Sequence, residues 1–505
     1  MSEVVIGVDV GSSGTCAQAI DAAGALLASA YRPYGVSFAH PGWADQDPEA
    51  WMKAVVETVA EARAAVRGRP VAAIGFGSQL DGLVALDGDG KPLRPALIWM
   101  DKRAGGECNE LAERIDNDWL RKTSGCNLDA GHVAAKIAWM QRNENELFAA
   151  ARSFALPGSY VAARVSGVLA VDPSNASSTM LLDVRSRAWS SELCDAFGID
   201  PERLPRVRDA SAVLGHPLEW FREATGLDRS TQVVLGCGDE MAATLGAGVI
   251  DAGTVCDVLG TAEPVCAVTE RPVYDQSAVV EAHPHADPDH WLLENPGWLS
   301  GGAYRWFRDE LARGIDRADG AGEIAYEALN ELIAESPAGA DGVIFLPFLG
   351  GATAPEWNAG ARAVWFGLTA AHGRSHLVRS LQEGNAFALR DVLLAMQTAG
   401  ATPRRIVCVG GGARSRMLRS IRADVTGLPV SRCEDAETTA RGAAILAAFG
   451  AGVHRSVALA CEAMASPMVD EIRPDGARHE VYTGVHAKYR ELYVALRPLF
   501  TQPTR

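Results

Sequence analysis

The chain has 505 residues, of which 48% are hydrophobic and 22% are charged, and its formal net charge is −16 at pH 7. This length and composition predict a compact, enzyme-sized protein of about two to four domains with large apolar cores. The negative charge argues against nucleic acid as a general partner, while leaving room for a local basic pocket that binds an anionic cofactor.

The ten cysteines are scattered singly, without a paired CxxC. That usage favours a reducing cytosol over a disulfide framework or a zinc site. The N-terminus enters the apolar run 4–8 directly, without the basic segment and long apolar core of a signal peptide. No uninterrupted apolar run is long enough to cross a bilayer. We therefore expect a cytoplasmic protein that is not bound to a membrane.

The first predicted element is a buried strand over residues 3–10, which ends in the loop 11–14, Gly-Ser-Ser-Gly. Residues 16–20 alternate again, so the loop joins two strands of a hairpin. A dinucleotide fingerprint would need GxGxxG followed by a helix, and neither it nor GxxxxGK[ST] is present. The hairpin tip can offer backbone N–H groups to phosphate, and Asp9 could hold the hydration shell of Mg²⁺. An ordinary hairpin turn is the alternative.

A helix is predicted to begin at residues 47–49, Asp-Pro-Glu, and its apolar stripe belongs to the core. Two later strands end in polar groups, the first at residues 78–82 and the second at residues 99–103. Polar residues at strand ends in an α/β protein face the crevice where ligands bind. The second group joins an aromatic to a carboxylate and a cation, which suits a hydroxylated ligand and equally suits a surface turn. The region 104–230 is predicted to be largely helical.

The segment 233–241 predicts a strand, a tight turn with two glycines, and the start of a helix. It places two carboxylates, Asp239 and Glu240, at the helix N-terminus. An acid at this position can simply cap the helix. It can also act in catalysis, and the glycine- and hydroxyl-bearing loops elsewhere in the chain favour that interpretation.

The second half repeats the opening pattern. Residues 254–259 and 265–268 alternate on either side of Gly260, Thr261 and Ala262, which suggests two similar domains that face one ligand. A strand over 405–409 then ends in three glycines, 410–412, before a helix expected over 416–426. A glycine turn at a helix N-terminus suits a nucleotide, because the backbone approaches closely and the helix dipole attracts phosphate.

The remaining features of this half carry less information. Helices are also predicted over 376–398 and 437–450, and the tail beyond 455 has no motif. The histidines at 283, 285 and 290 lie among aspartates and prolines, a composition that could bind zinc or another metal. The many turn residues between two apparent strands favour a solvated hairpin instead.

Eight pieces of sequence, each weak alone, follow in the order and spacing of a known family. They are residues 7–14, 43–48 and 99–103, Lys136 with Trp139, residues 236–240 and 259–261, residues 365–369 with Glu383, and residues 410–413. With these motifs the chain resembles the FGGY carbohydrate kinases of the actin and sugar-kinase ATPase superfamily, above all the members that phosphorylate xylulose. The resemblance implies an α/β fold of two ribonuclease-H-like domains, 1–247 and 248–505, around a central cleft.

The resemblance also implies roles for particular residues. Asp239 is expected to be the base that faces the sugar hydroxyl, and Asp9 the carboxylate on the Mg²⁺ side. The expected phosphate contacts of ATP are Ser12, Ser13, Gly260 and Thr261. The expected adenosine loop consists of Gly411, Gly412 and Ala413. The expected sugar-pocket positions are Gln79, Leu80, Asp81, Asp101 and Glu240.

Three departures from the family pattern stand out. Leu80 and Asp81 replace a Met-His pair of the xylulose-specific members, which changes what the pocket recognises. Glu263 and Pro264 replace a Ser-Gly pair, and because proline lacks an N–H we expect fewer phosphate contacts from that loop. Val133 replaces a small hydroxyl residue, with little expected consequence.

The sequence thus predicts that the γ-phosphoryl group of ATP is transferred, with Mg²⁺, to a terminal hydroxyl of a small open-chain sugar, most simply a pentulose such as D-xylulose. The alternatives are a kinase for ribulose, another ketose or a polyol, and a non-catalytic or slow ATP-binding sugar sensor. A dehydrogenase is excluded by the missing fingerprint. The expected partner is the sugar alone, without nucleic acid or membrane, and a homodimer stays open.

Overall fold

The computed structural model describes residues 3–312 and 326–500 and contains two seven-stranded sheets. In the first sheet, an antiparallel meander formed by the first three strands lies beside strands parallel to Val4–Val10. Its order along the sheet is Val213–Gly215, Gln232–Val234, Val71–Ser78, Val4–Val10, Gly14–Asp21 and Leu26–Pro33, and Cys237–Gly238 pairs with the end of Val71–Ser78.

The second sheet repeats this arrangement. Its meander passes through Thr254–Val258, which pairs in parallel with the next strand along the sheet. The order is Glu281–Pro284, Trp291–Asn295, Val265–Thr269, Thr254–Val258, Arg405–Val409, Val430–Cys433 and Met468–Ile472. Both sheets thus run from an antiparallel meander into two parallel strands and an antiparallel edge strand. The predicted α/β fold with two similar sheet-containing domains is confirmed.

Helices cover the sheets, and helices are found at the positions predicted near residues 48, 376, 416 and 437, whereas the region 104–230 alternates short helices with short strands. In the first half the helices are Pro48–Ala65, Gly105–Ala112, Asn117–Ser124, Val133–Asn143, Asn145–Ala150, Pro157–Ser166, Pro173–Ser177, Ser191–Phe197, Glu219–Thr225 and Asp239–Gly246. In the second half they are Ser300–Trp306, Tyr326–Ala334, Arg374–Ala399, Arg416–Thr426, Thr438–Gly450, Val457–Met464 and Gly476–Leu496. The tail beyond 455 therefore supplies an edge strand and two helices to the second domain.

Short elements complete the two halves. Two-stranded ladders join Asp45–Gln46 to Ala96–Leu97, Val84–Leu86 to Ser153–Ala155, Ala170–Val171 to Arg206–Val207, Leu182–Asp183 to Ala188–Trp189, and Ile344–Leu346 to Val364–Phe366. Single helical turns lie at Pro201–Arg203, Phe307–Leu311, Ala340–Gly342, Gly411–Arg414 and Arg497–Leu499. Within the described ranges, no helix is long and apolar enough to cross a membrane.

One helix pair fixes the two halves against each other. The helix Thr438–Gly450 packs on the helix Asp239–Gly246 and on the first sheet. A Cβ added to Gly442 would lie 1.8 Å from the carbonyl oxygen of Ala242, and one added to Gly246 would lie 1.9 Å from that of Thr438. The two backbones can approach this closely only because both positions are glycine. The helix that begins with Asp239 is therefore packed closely against a helix of the second half.

Candidate active site

Strand register brings Asp9 and Asp239 to one edge of the first sheet. Asp9 lies opposite Gly77 on the neighbouring parallel strand, and Gly77 lies opposite Cys237 on the next. Asp239 follows Cys237 by two residues and begins the helix Asp239–Gly246, as the strand–turn–helix pattern predicts. The carboxyl ends of parallel strands meet at such an edge, which is where α/β proteins bind ligands.

Asp239 does not cap its helix. The cap residue is Gly238, and the Asp239 carboxylate accepts a hydrogen bond only from the adjacent Glu240 N–H, at 3.1 Å, among the bonds found in the described chain. Burial, reinforced by the charges of Glu294 and Asp81, raises the pKa of Asp239 to about 7. A half-buried carboxylate with a pKa near neutrality is suited to accept a proton from a substrate.

Asp9 is the second carboxylate at this edge. Its Oδ1 is buried and has no hydrogen-bond partner within the described ranges. Burial raises the pKa of Asp9 well above its ordinary value, and the charges of Asp239 and Glu437 raise it further. A buried carboxylate oxygen without a partner requires an explanation, and a hydrated divalent cation supplies one, since Mg²⁺ is bound through one or two carboxylates and several waters. The residues at this edge thus fit a metal ion.

The tip of the first hairpin, Ser12 and Ser13, is held by side chains from other loops. The Ser12 hydroxyl donates to Gln79 Oε1 at 3.3 Å and accepts from Trp99 Nε1 at 2.7 Å. Gln79 Nε2 in turn donates to Gln46 Oε1 at 3.0 Å. Gln79, predicted as a sugar-pocket residue, is buried in this network and supports the hairpin tip. Ser13 is exposed, as a phosphate-contacting residue would be.

The second hairpin tip lies beside the glycine loop. Gly260 and Thr261 are exposed. Gly412 N–H donates to the Leu259 carbonyl at 3.0 Å, and a Cβ on Gly412 would lie 2.9 Å from the Leu259 Cβ, so the two loops touch. The glycines enter the turn Gly411–Arg414, in which Gly411 is exposed and Ala413 is buried, and the predicted helix follows at Arg416.

The Glu263 departure has a structural explanation. Glu263 is fully buried below the second hairpin tip, where both of its oxygens accept hydrogen bonds from Arg422 Nη2 at 2.7 Å. Arg422 Nε also donates to Asp257 Oδ2 at 3.0 Å. Burial raises the pKa of Glu263 to about 8, because one guanidinium only partly offsets the desolvation of two carboxylates. Glu263 therefore anchors the loop to the helix Arg416–Thr426.

The predicted sugar-pocket residues separate into two groups. Asp81 has a positive φ of 58° and lies 3.0 Å from His132 Nδ1 through its Oδ1, at the edge that Asp239 and Glu240 share. Leu80 packs on Gly238. Asp101, by contrast, is fully buried, and its carboxylate accepts from Ala44 N and from Arg103 Nε. Its placement favours a structural role for Asp101 over contact with a sugar.

The expectation of a solvated hairpin around the histidines is wrong. The segment forms two strands of the second sheet, Glu281–Pro284 and Trp291–Asn295, with His283 and His285 buried. His283 Nδ1 lies 2.8 Å from Ser177 Oγ, and His285 Nε2 lies 3.0 Å from the hydroxyl of Thr244, so the hairpin packs on the first domain. The segment is rich in turn residues, but contact with the first domain buries its two histidines.

The alternative, a metal site formed by His283, His285 and His290, is not found in the described chain. In the described part of the chain, the side chains close enough to share an ion are those of Cys126, His132 and Glu281. His132 lies between two carboxylates, with Nε2 at 3.5 Å from Glu281 Oε1 and Nδ1 beside Asp81. Cys126 donates to the Ser177 carbonyl at 3.3 Å. Ion pairing thus places His132 between acids from both domains.

The sequence interpretation missed Glu281 and Glu294, which this hairpin brings to the site. The sequence suggests two strands around the histidine segment, but no local signal shows that their polar side chains meet the first domain. All ten cysteines are free and buried, so no disulfide constrains either domain.

Comparison with known proteins agrees with this geometry. The model of the FGGY carbohydrate kinase N-terminal domain matches residues 4–246, and that of the C-terminal domain matches residues 257–451. The chain belongs to the FGGY family of carbohydrate kinases. It is 31% identical to the xylulose kinase of Escherichia coli strain K12, covering 98% of this chain and 99% of the relative. FGGY kinases use ATP with a divalent metal, so the residues at the Asp9 edge suit the family's cofactors.

Solved structures support the same assignment for this FGGY kinase. The xylulose kinase of Rhodospirillum rubrum superposes with a TM-score of 0.90 at 29% identity, covering 99% of this chain and 100% of that one. The gluconate kinase of Lactobacillus acidophilus also superposes with a TM-score of 0.90, at 26% identity and with 98% of both chains covered. Fold similarity alone therefore leaves the sugar undecided.

Proposed function

We propose that this FGGY kinase transfers the γ-phosphoryl group of ATP to a terminal hydroxyl of a small open-chain sugar, and that the sugar is a pentulose such as D-xylulose. The observation that carries the proposal is the position of Asp239. It begins a helix at the sheet edge, has no capping role, and has a pKa raised to about 7. The high similarity to xylulose kinases favours a pentulose.

In this proposal the residues divide the work between the two sheets. Asp239 orients the sugar hydroxyl and accepts its proton late in a loose transition state. The first hairpin contributes Ser12 and Ser13 and the second contributes Gly260 and Thr261, whose exposed backbones approach phosphate. Gly411, Gly412 and Ala413 form the adenosine side. We place the boundary between the domains after residue 247, between the helix of Asp239 and the strand Thr254–Val258.

Asp9 is the residue that would hold Mg²⁺ through its hydration shell. When bound, Mg²⁺ neutralises the developing charge on the phosphate oxygens. The unpartnered Oδ1 of Asp9 supports this role. Asp81 and Glu240 are the carboxylates placed to accept hydrogen bonds from sugar hydroxyls, while Leu80 contributes an apolar wall.

The test is an ADP-release assay over pentuloses, hexuloses and polyols with ATP and Mg²⁺. We expect the highest kcat/KM for a pentulose, with D-xylulose and D-ribulose compared directly. Turnover that is greatest with another ketose or a polyol would reject the pentulose and keep the kinase. Sugar-dependent ADP binding without ADP release would identify a sensor, contrary to the proposal.

A further inference from the structure

A second-domain carboxylate, Glu294, reaches the sugar side of the active site. It lies on the strand Trp291–Asn295 and only 4% of the residue is exposed. It interacts directly with Glu240 of the first domain. Oε2 of Glu294 and Oε2 of Glu240 are both buried without a hydrogen-bond partner in the described chain. Two buried carboxyl groups, one from each domain, therefore lie together beside Asp239.

The two carboxyl groups of this pair share a proton, because burial raises the pKa of each. Burial and then Glu294 raise the pKa of Glu240 well above its ordinary value. The pKa of Glu294 is also raised by burial, but His283 and the hydrogen bond from Glu240 oppose the shift. The pair thus presents one carboxylic acid and one carboxylate, as two carboxyl groups at close range cannot both ionise.

The cations near the pair are already engaged. His283 Nε2 lies 3.5 Å from Glu294 Oε2 and 3.8 Å from Glu281 Oε2, and His132 lies between Asp81 and Glu281. Each imidazole is therefore shared by two acids, and acids outnumber bases around the pocket.

Lys136, Lys102 and Arg103 do not offset the excess of acidic side chains around the pocket. The Lys136 side chain is fully buried, and its Nζ donates to the backbone carbonyls of Asp81 and Gly131. Burial lowers the pKa of Lys136 to about 7, so part of its charge is lost at neutral pH. Lys102 is paired with Asp129 and Arg103 with Asp101. These contacts leave none of the three cations uncommitted to the protein.

We propose that Glu294, together with Glu240, determines the substrate class as an uncharged open-chain ketose or polyol and rejects a sugar acid. This inference rests on the proposed function. Hydroxyl groups of a neutral sugar can donate to this pair of acidic side chains, whose oxygens are acceptors. A sugar carboxylate offers no donor, and it would enter beside like charges, while His132, His283, Lys136, Lys102 and Arg103 are engaged by the protein. The carboxyl pair thereby separates two activities that the fold similarity to xylulose and gluconate kinases does not.

A matched pair of ligands tests this directly. Xylitol and D-xylonate have the same carbon chain and differ at one end, where a hydroxymethyl group replaces a carboxylate. Titration calorimetry with the full chain at pH 8, in the presence of ADP and Mg²⁺, measures both affinities. We expect xylitol to bind at least about tenfold more tightly than D-xylonate, a ratio that corresponds to one like-charge contact.

The isosteric variant Glu294→Gln should reduce this preference by about threefold or more, because it removes the charge and keeps the shape. Glu270→Gln is the matched control, since Glu270 is an exposed acid just beyond the strand Val265–Thr269. The control should keep the wild-type ratio. The inference would be overturned by an unchanged affinity ratio in Glu294→Gln. It would also be overturned if the wild type bound both ligands equally, bound D-xylonate more tightly, or bound neither.

The assay separates this inference from the proposed function. If no sugar supports ADP release, the kinase proposal fails, yet the binding ratio still decides the role of Glu294. If D-gluconate or D-xylonate is phosphorylated with the highest kcat/KM, the inference fails while the kinase activity stands. If Glu294→Gln does not fold, which its thermal unfolding would reveal, the wild-type ratio alone decides.

Discussion

The two hairpins of this kinase carry an aspartate at the same place and use it in opposite ways. Asp9 lies on the central strand of the first sheet, and Asp257 lies on the equivalent strand of the second. Asp257 is fully buried and paired with Arg422. Oδ1 of each aspartate lacks a hydrogen-bond partner in the described chain, but Asp257 has a guanidinium at its other oxygen, whereas Asp9 faces the acids Asp239 and Glu437. One copy of the unit therefore leaves its charge available for chemistry, whereas the other neutralises its charge to hold a loop.

The difference shows how a repeated fold element acquires separate roles. The hairpin geometry is similar in both copies, but a buried carboxylate is tolerated only when a partner compensates its desolvation. In the second domain the helix Arg416–Thr426 supplies that partner. In the first domain the helix of Asp239 supplies a second acid instead, which adds to burial in raising the pKa of Asp9. The following predictions test this division between catalysis and stability.

The largest effect is expected for Asp239→Asn. The variant cannot accept the hydroxyl proton, so kcat should fall by roughly 10²–10⁴ while ADP binding, measured by calorimetry, stays unchanged. In the wild type the pKa of Asp239 is raised by burial, so its ionisation lowers the free energy of unfolding as the pH rises from about 4 through 7. The asparagine variant should therefore be at least as stable as the wild type at pH 8. Near-full turnover would reject Asp239 as the base.

Arg422→Met should act on stability instead. It leaves two buried carboxylates without their cation, so the free energy of unfolding should fall by about 3–5 kcal/mol in urea titrations. Arg416→Met, on an exposed position of the same helix, is the control and should change little. Adding Asp257→Asn and Glu263→Gln to Arg422→Met should restore part of the loss. An unchanged stability in Arg422→Met would show that the triad does not hold the loop.

Asp9→Asn should show the opposite profile to Arg422→Met. Removing a carboxylate that holds the metal through water should lower kcat by about 10–100-fold and raise the Mg²⁺ concentration needed for half-maximal rate. Stability should not fall, since the Asp9 oxygen has no partner to lose. Urea titration and a Mg²⁺ titration of ADP release measure both quantities. A loss of stability like that of Arg422→Met would abolish the distinction between the hairpins.

The smallest effect is a pH dependence of the wild type. Because the raised pKa of Asp239 is about 7 and only the ionised form accepts a proton, kcat/KM should fall about tenfold per pH unit below 7 and level off above it. Glu294→Gln should move the acidic fall in kcat/KM to lower pH, since the charge of Glu294 contributes more than any other charge to the raised pKa of Asp239. A flat wild-type profile between pH 6 and 8 would show that Asp239 does not titrate there.

Much of the architecture could be predicted from local patterns. Alternation, turn glycines and capping residues predicted the strand–turn–helix around Asp239, the two hairpins and the helices beginning near residues 48, 374, 416 and 438. These features depend on residues close together in the chain, where dihedral preference and period are informative. The FGGY motifs, read in order, then predicted the family.

Tertiary structure decided which polar groups are free. Asp101 and Glu263 are carboxylates like Asp9 and Asp81, but Arg103, two residues along the chain, pairs with Asp101, and Arg422, 159 residues away, pairs with Glu263. The sequence also gave no sign that the hairpin of His283 crosses to the first domain and carries Glu294 to the sugar side. The availability of a charge depends on desolvation and on partners from other segments, and only the folded chain brings those together.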